Sequence, residues 1–211
     1  MKRMIGVLAI LMIPTLAFAV PTLDFTRITF TNAENLAGQL SVQVTDAGNN
    51  QVMFKFLNNV GITSSICDVY FDDGTLLGIA SITDSGAGVA FSSPATPGDL
   101  PSGNTATPPF VTTQQFSADS APPVKPNGVN SSSEWLAITF DLINGQTYAD
   151  TLLALSDGSL RVGLHVQDIG QAGGSDSYVS NPIPTPEPGT MMLLGSGLLG
   201  LAGWGRKRLV K

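Results

Sequence analysis

Leu40-Ser41-Val42-Gln43-Val44-Thr45, and then Val52-Met53-Phe54-Lys55-Phe56 after the turn residues Gly48-Asn49-Asn50, decide the fold class. Apolar and polar side chains alternate in both runs. A period of two puts every second side chain on one face of an extended strand, whereas a helix would need a period near 3.6. Each run therefore reads as a strand with one dry face and one wet face. The pattern recurs downstream. Leu136, Ile138, Phe140 and Leu142 alternate with Trp135, Ala137, Thr139 and Asp141, and Leu160, Val162, Leu164 and Val166 give a further period of two.

Residues 66–71 and 76–82 flank Asp72-Asp73-Gly74, where the glycine tolerates positive φ; this predicts a hairpin. Residues 23–31 switch parity between Phe25 and Ile28, which a β-bulge would repair. Tyr148, Leu152 and Leu155 fall at helical spacing ahead of Gly158, a residue suited to a helix C-cap, so 149–156 is expected to be a two-turn helix. Strands that are apolar on one side bury that side by packing two sheets face to face. The expected fold is an all-β, two-sheet antiparallel β-sandwich of jelly-roll-like type with one short helix. Residues 92–133 carry eight prolines among Ser, Thr and Gly, and read as long loop with one possible strand at 110–116.

The two ends follow a different logic. Lys2 and Arg3 precede an apolar stretch at 4–13, Pro14 ends it, and Ala17-Phe18-Ala19 supplies small residues at Ala17 and Ala19. These are the parts of a secretory signal peptide, residues 1–19, with the cut after Ala19. At the other end, Pro186-Glu187-Pro188 precedes an uncharged stretch that runs to Gly205, and Arg206-Lys207-Arg208 follow. A helix over 189–205 would be close to 27 Å long at ~1.5 Å per residue, near the ~30 Å hydrocarbon thickness. The basic residues after it place the tail, 206–211, in the cytoplasm and the body outside. Gly195-Ser196-Gly197-Leu198-Leu199-Gly200 fits a dinucleotide fingerprint by spelling alone. Prolines precede it in place of a strand, so a nucleotide site is rejected and close helix packing is preferred.

This three-part C-terminus resembles the PEP-CTERM sorting signal of Gram-negative bacteria. Pro186, Glu187, Pro188 and Gly189 stand as the motif, residues 190–204 as its hydrophobic part, and Arg206, Lys207 and Arg208 as the membrane stop. The resemblance covers residues 183–211. It implies an exported protein, handled by the secretion machinery and an exosortase, anchored transiently in the membrane and destined for the cell surface or exterior. It also implies an association with exopolysaccharide and biofilm matrix, and it makes the chain a substrate of the processing enzyme. The body further resembles uncharacterised bodies found on such proteins, around Val162-Gly163-Leu164-His165-Val166-Gln167, which implies no activity. The domain order is then 1–19 signal peptide, 20–182 secreted sandwich, 183–188 proline-rich spacer, 189–205 transmembrane helix and 206–211 tail.

The exported part is strongly acidic. All sixteen acids lie between Asp24 and Glu187, opposed there by Arg27, Lys55, Lys125 and Arg161, a formal charge of −12. Such a surface repels nucleic acid and anionic lipid, and tolerates divalent cations and neutral polysaccharide. Cys67 is the single cysteine, so no intramolecular disulfide forms; it is expected on the buried face shared with Val69 and Phe71.

Candidate chemistry is sparse. His165, the single histidine, shares parity with Arg161 and Gln167 and is expected to be solvated or loosely covered, with Asp168 on the opposite parity. No nucleophile elbow is spelled, so no catalytic residue is assigned. Asp46, Asp72, Asp73, Asp84, Asp157 and Asp176 are explained as turn formers. No cofactor is expected; calcium stays open with no ligand assigned, and one His with one Cys excludes zinc. Trp135 is the weak candidate for a glycan contact. An exposed indole beside Thr139 and Asp141 would suit a sugar surface, while a second layer or the Tyr148 helix over it would bury it; burial is the preferred reading. The functional expectation is a non-catalytic structural or binding protein, with a carbohydrate-binding module as the alternative and a secreted hydrolase behind it.

Overall fold

A computed structural model describes residues 20–72, 76–143, 145–184 and 196–197. The strands are β1 (Thr22–Leu23), β2 (Phe25–Arg27), β3 (Leu40–Gly48), β4 (Gln51–Asn58), β5 (Ser65–Asp72), β6 (Leu76–Asp84), β7 (Phe91–Ser92), β8 (Ser117–Ser120), β9 (Trp135–Leu142), β10 (Arg161–Ile169) and β11 (Gly174–Ser180). The helices are α1 (Val124–Asn127) and α2 (Tyr148–Asp157), with a single 3-10 turn at Gly103–Thr105. One sheet has the order β1-β3-β4-β9-β6 and the other β2-β11-β10-β5-β8-β7, with every neighbouring pair antiparallel. β5 pairs with β10, β6 with β9 and β7 with β8. This nested pairing is the winding of a jelly roll, and the expected antiparallel sandwich is present.

The core fills the space between the sheets as the period of two requires. Val42, Val44, Val52, Phe54 and Phe56 point inward from β3 and β4, and Ile138 and Phe140 from β9. They meet Val69 and Phe71 of β5 and Val162, Leu164 and Val166 of β10. Phe71 is the hub: its ring stands edge-on to Phe54 at 5.1 Å, to Phe140 at 4.6 Å and to Phe56 at 6.1 Å. Edge-to-face pairs of this kind add to the area they bury and fix ring orientation. α2 closes one end. Its Thr147–Asp150 capping box and left-handed Gly158 mark its limits, Tyr148 Oη donates to the Val44 carbonyl at 2.9 Å, and Ala154 and Leu155 enter the core.

The structure corrects several local expectations. Residues 23–31 form no bulged strand: β1 pairs with β3 and β2 with β11, so the chain changes sheets at Asp24. Changing sheets satisfies both parities, because each half faces the core from its own side. β5 and β6 form no hairpin, since they lie in opposite sheets. The turn chemistry is local and serves an arch between facing sheets as well as a hairpin; Asp73 and Gly74 themselves lie outside the described residues. Residues 110–116 are not a strand, and the pairing falls instead on β8. Nor is the proline-rich stretch simply loop. Ala95, Leu100, Ala106 and Phe110 fold back as a cap on the outer face of the second sheet, forming a small second core with Tyr70 and Val179. Gly163 makes this contact possible, because a Cβ there would lie 2.9 Å from Leu100 Cδ2 and 3.0 Å from Phe110 Cζ. β5 is thus buried on both faces.

Cys67 is buried, but not on the face of Val69 and Phe71. A register shift in the β5–β10 pairing, where Ile66 opposes Val166 and Asp68 opposes His165, leaves it outside the main core, with Sγ 3.6 Å from the Val124 carbonyl of α1. Burial above all, with the neighbouring Asp68 charge, pushes its thiol up to about 11 against the opposing hydrogen bonds of Ser65 and Ser120. It is a structural, unreactive thiol. The signal peptide expected at 1–19 lies outside the described residues, as do the basic residues 206–211 and all of the 189–205 segment except Ser196 and Gly197. Among the described residues no helix is long and apolar enough to cross a membrane.

Candidate functional site

The chain leaves the sandwich at a fixed point. After β11, Asn181 N–H donates to the Asp24 carbonyl at 2.8 Å, and Thr26 Oγ1 donates to Asn181 Oδ1 at 2.7 Å. Ile183 N–H donates to the Leu155 carbonyl at 3.2 Å, and its side chain, 7% exposed, belongs to the core. The first residue expected of the spacer is therefore tied to α2, and the exposed Pro184 is the first residue beyond that anchor. The sorting residues Pro186, Glu187, Pro188 and Gly189, the stop residues Arg206, Lys207 and Arg208, and Ala17 and Ala19 lie outside the described residues.

The outer face of the first sheet is formed by alternate residues of β3, β4 and β9. Cross-strand pairing sets Ser41, Leu57 and Trp135 in one row, Gln43, Lys55 and Ala137 in the next, and Thr45, Met53 and Thr139 in a third. Trp135 is half-buried on this face, and its neighbour Ala137 is buried. α2 sits at the end of the sandwich because it must bridge β9 to β10. Lys55 Nζ stands 4.7 Å from the centre of the indole ring, a cation–π contact that occupies one ring face. Gln51 and Asp141 pair in a fourth row, where Gln51 Nε2 donates to Asp141 at 2.8 Å; Lys55 and Asp141 are the charged side chains of the four rows and balance one another on a strongly acidic body.

The second sheet holds the polar arrangement that the sequence did not disclose. His165 Nδ1 lies 2.6 Å from Asp68 Oδ2, and both side chains are largely buried. Of the two expectations for the histidine, solvated or loosely covered, the structure shows the covered one, with the side chain 15% exposed. Asp168 does not join this pair; it binds Lys125 Nζ at 3.0 Å. An imidazole held at Nδ1 by a carboxylate is two parts of a hydrolytic triad. The third part is missing among the described residues. Ser177 opposes His165 on β11, but it is buried and makes no hydrogen bond to the ring.

Asp176 is likewise no turn former. It is buried in β11 and accepts from Thr29 Oγ1 at 2.8 Å, Thr31 N–H at 2.8 Å, and Asn32 N–H and Nδ2 at 3.3 and 3.0 Å, with Arg27 Nη1 at 3.6 Å. Burial alone would raise its pKa, but these hydrogen bonds together outweigh it and hold the carboxyl below the ordinary value. Asp72 pairs with Arg161, whose guanidinium also holds the Pro108 and Pro109 carbonyls of the cap. Asn130 Nδ2 donates to the Lys125, Pro126 and Gly128 carbonyls and so fastens the turn after α1. Among the described residues no three His, Cys, Asp or Glu side chains converge to hold a metal ion.

Comparison with known proteins bears on the C-terminal end. Residues 184–207 match the model of the PEP-CTERM protein-sorting motif. The match begins one residue after Ile183 enters the core. The chain carries a PEP-CTERM sorting motif, and with it the signal of an exported, exosortase-sorted protein. No curated protein and no solved structure matches the chain.

Proposed function

We propose that the sandwich is a non-catalytic structural or binding module which the sorting motif delivers to the cell surface or extracellular matrix, in association with exopolysaccharide. The observation that carries this reading is the junction. A self-contained body ends at Ile183, and the sorting motif begins at Pro184, so the processing segment follows the last core residue directly. A cut beyond this junction releases the fold without opening it. The test is replacement of Pro186-Glu187-Pro188 by three alanines in the native host, followed by intact-mass measurement. The variant is expected to stay as unprocessed, membrane-associated precursor; normal maturation would count against the reading. The proposed module needs no cofactor, so melting should be the same with and without a chelator.

A second reading, a carbohydrate-binding module, is favoured by the half-buried Trp135 and the rows beside it. These near-neutral rows of amide, hydroxyl and aromatic groups suit an uncharged glycan. The indole has one face under Lys55, so a sugar ring would have to displace that ammonium or bind the flanking rows. Glycan-array binding that disappears in Trp135→Ala supports this reading, and silence across neutral glycans dismisses it.

A further inference from the structure

A sheet can grow only at its edges, where backbone N–H and C=O groups point away from the last strand. Three of the four sheet edges are too short to pair at length: β1 has two residues, β2 three and β7 two. The fourth, β6, has nine. β6 bonds to β9 on one side, and among the described residues no strand lies on the other. Natural edges are commonly guarded by charge or proline. Residues 76–83 carry neither, although the body is strongly acidic. A second copy, equally acidic, meets no like charge along this stretch.

The order of the side chains says what fits there. Ile79 opposes Phe140 and Ile82 opposes Ile138, so both isoleucines face the core, against which they pack. Gly78 opposes Asp141, Ser81 opposes Thr139 and Thr83 opposes Ala137, all on the outer face. A register shift between Ile79 and Ser81 sets the extra residue, Ala80, beside Ser81, and both are exposed. Gly78-Ile79-Ala80-Ser81-Ile82-Thr83 thus reads the same in both directions: small, Ile, small, small, Ile, small. A twofold axis pairs an antiparallel strand with its own reverse, so the surface must be self-complementary. With the axis between Ala80 and Ser81, Ile79 meets Ile82 on the core side and Gly78 meets Thr83 on the outer side. We propose that β6 is a self-association edge, pairing antiparallel with β6 of a second copy and joining two five-stranded sheets into one of ten. Six residues on each side bury less than the ~1,200 Å² of a stable interface, so the pair is weak and depends on concentration. It forms whatever ligand the module binds.

The test is sedimentation velocity on the protein isolated from its native host, over a concentration series. The mass is expected to move from one copy to two as concentration rises, and added salt should favour the pair by screening the acidic bodies. Hydrogen exchange over the same series should gain protection at residues 78–83. Two double variants read the register. Gly78→Lys with Thr83→Lys sets lysine against lysine across the axis and should weaken the pair about tenfold or more, although it makes the body less acidic. Gly78→Lys with Thr83→Asp keeps the net charge, sets lysine against aspartate and should leave the pair as strong or stronger. Nothing lies within 4 Å of a Cβ placed at Gly78, so a side chain has room there. A wild type that stays single at every concentration overturns the proposal and would mean that the bulge at Ala80 guards the edge. A pair that gains protection elsewhere, or that neither variant alters in this way, overturns it too. Should a variant not fold, the exchange pattern of the wild type decides.

Discussion

Among single residues, Asp176 carries more of the fold than its place in a Gly-Ser-rich stretch suggests. One buried carboxylate fastens residues 29–32 to β11 through four hydrogen bonds and faces Arg27. Removing it leaves those donors without their acceptor and a part-buried guanidinium without its opposite charge, so Asp176→Ala should cost about 3 kcal/mol near neutral pH. The pH dependence has a definite sign. The folded pKa lies below the unfolded one, so the contribution is complete above the unfolded value of about 3.9 and is lost as pH falls through the folded value. Urea titrations of wild type and Asp176→Ala should therefore differ strongly near neutrality and converge in acid. A gap of constant size would show that the charge is not what holds the loop. Nothing in the sequence marks this role, because the donors lie about 145 positions away.

Among elements, the cap is the part most exposed to a single change. It rests on Gly163, where Leu100 and Phe110 fill the space that any side chain would need. Gly163→Ala forces these groups off the sheet at about 1–3 kcal/mol. The main core lies on the other side of β10 and should stay intact. Limited proteolysis is expected to cut within residues 93–116 in the variant and spare the wild type, with the rest of the body resistant; equal resistance would mean that the cap tolerates the methyl group. The strands themselves were legible, since β3, β4, β9 and β10 all show the period of two that a half-buried sheet imposes. Their partners were not. The turn after Asp72 looks the same whether it closes a hairpin or an arch, and the parity switch near Asp24 looks the same whether a bulge or a change of sheet repairs it. The cap was hidden because Ala95, Leu100, Ala106 and Phe110 follow no period and are joined only by the surface they cover. The His165–Asp68 pair was hidden for the same reason, since it exists only once β5 and β10 are neighbours.

For the whole molecule, the sorting motif was readable because it is linear: a tripeptide, an apolar stretch and a basic end carry their meaning in chain order. Where the body ends was less readable, because Ile183 stands among prolines and looks like spacer. The fold makes it core, packed below α2 with its amide tied to Leu155. This constrains processing. An enzyme that cuts beyond Pro184 releases an intact sandwich, while a cut before Ile183 removes an apolar side chain from the core and opens the end that α2 closes. Two truncations separate these cases. A chain ending at Pro184 should unfold at the same urea midpoint as the full-length protein, because every described core residue remains. A chain ending at Pro182 should lose about 2 kcal/mol, the burial of one isoleucine side chain, and with it some protection of the α2 amides in hydrogen exchange. Equal midpoints for the two truncations would mean that Ile183 adds nothing to the body, and that the boundary between module and sorting signal lies upstream of it.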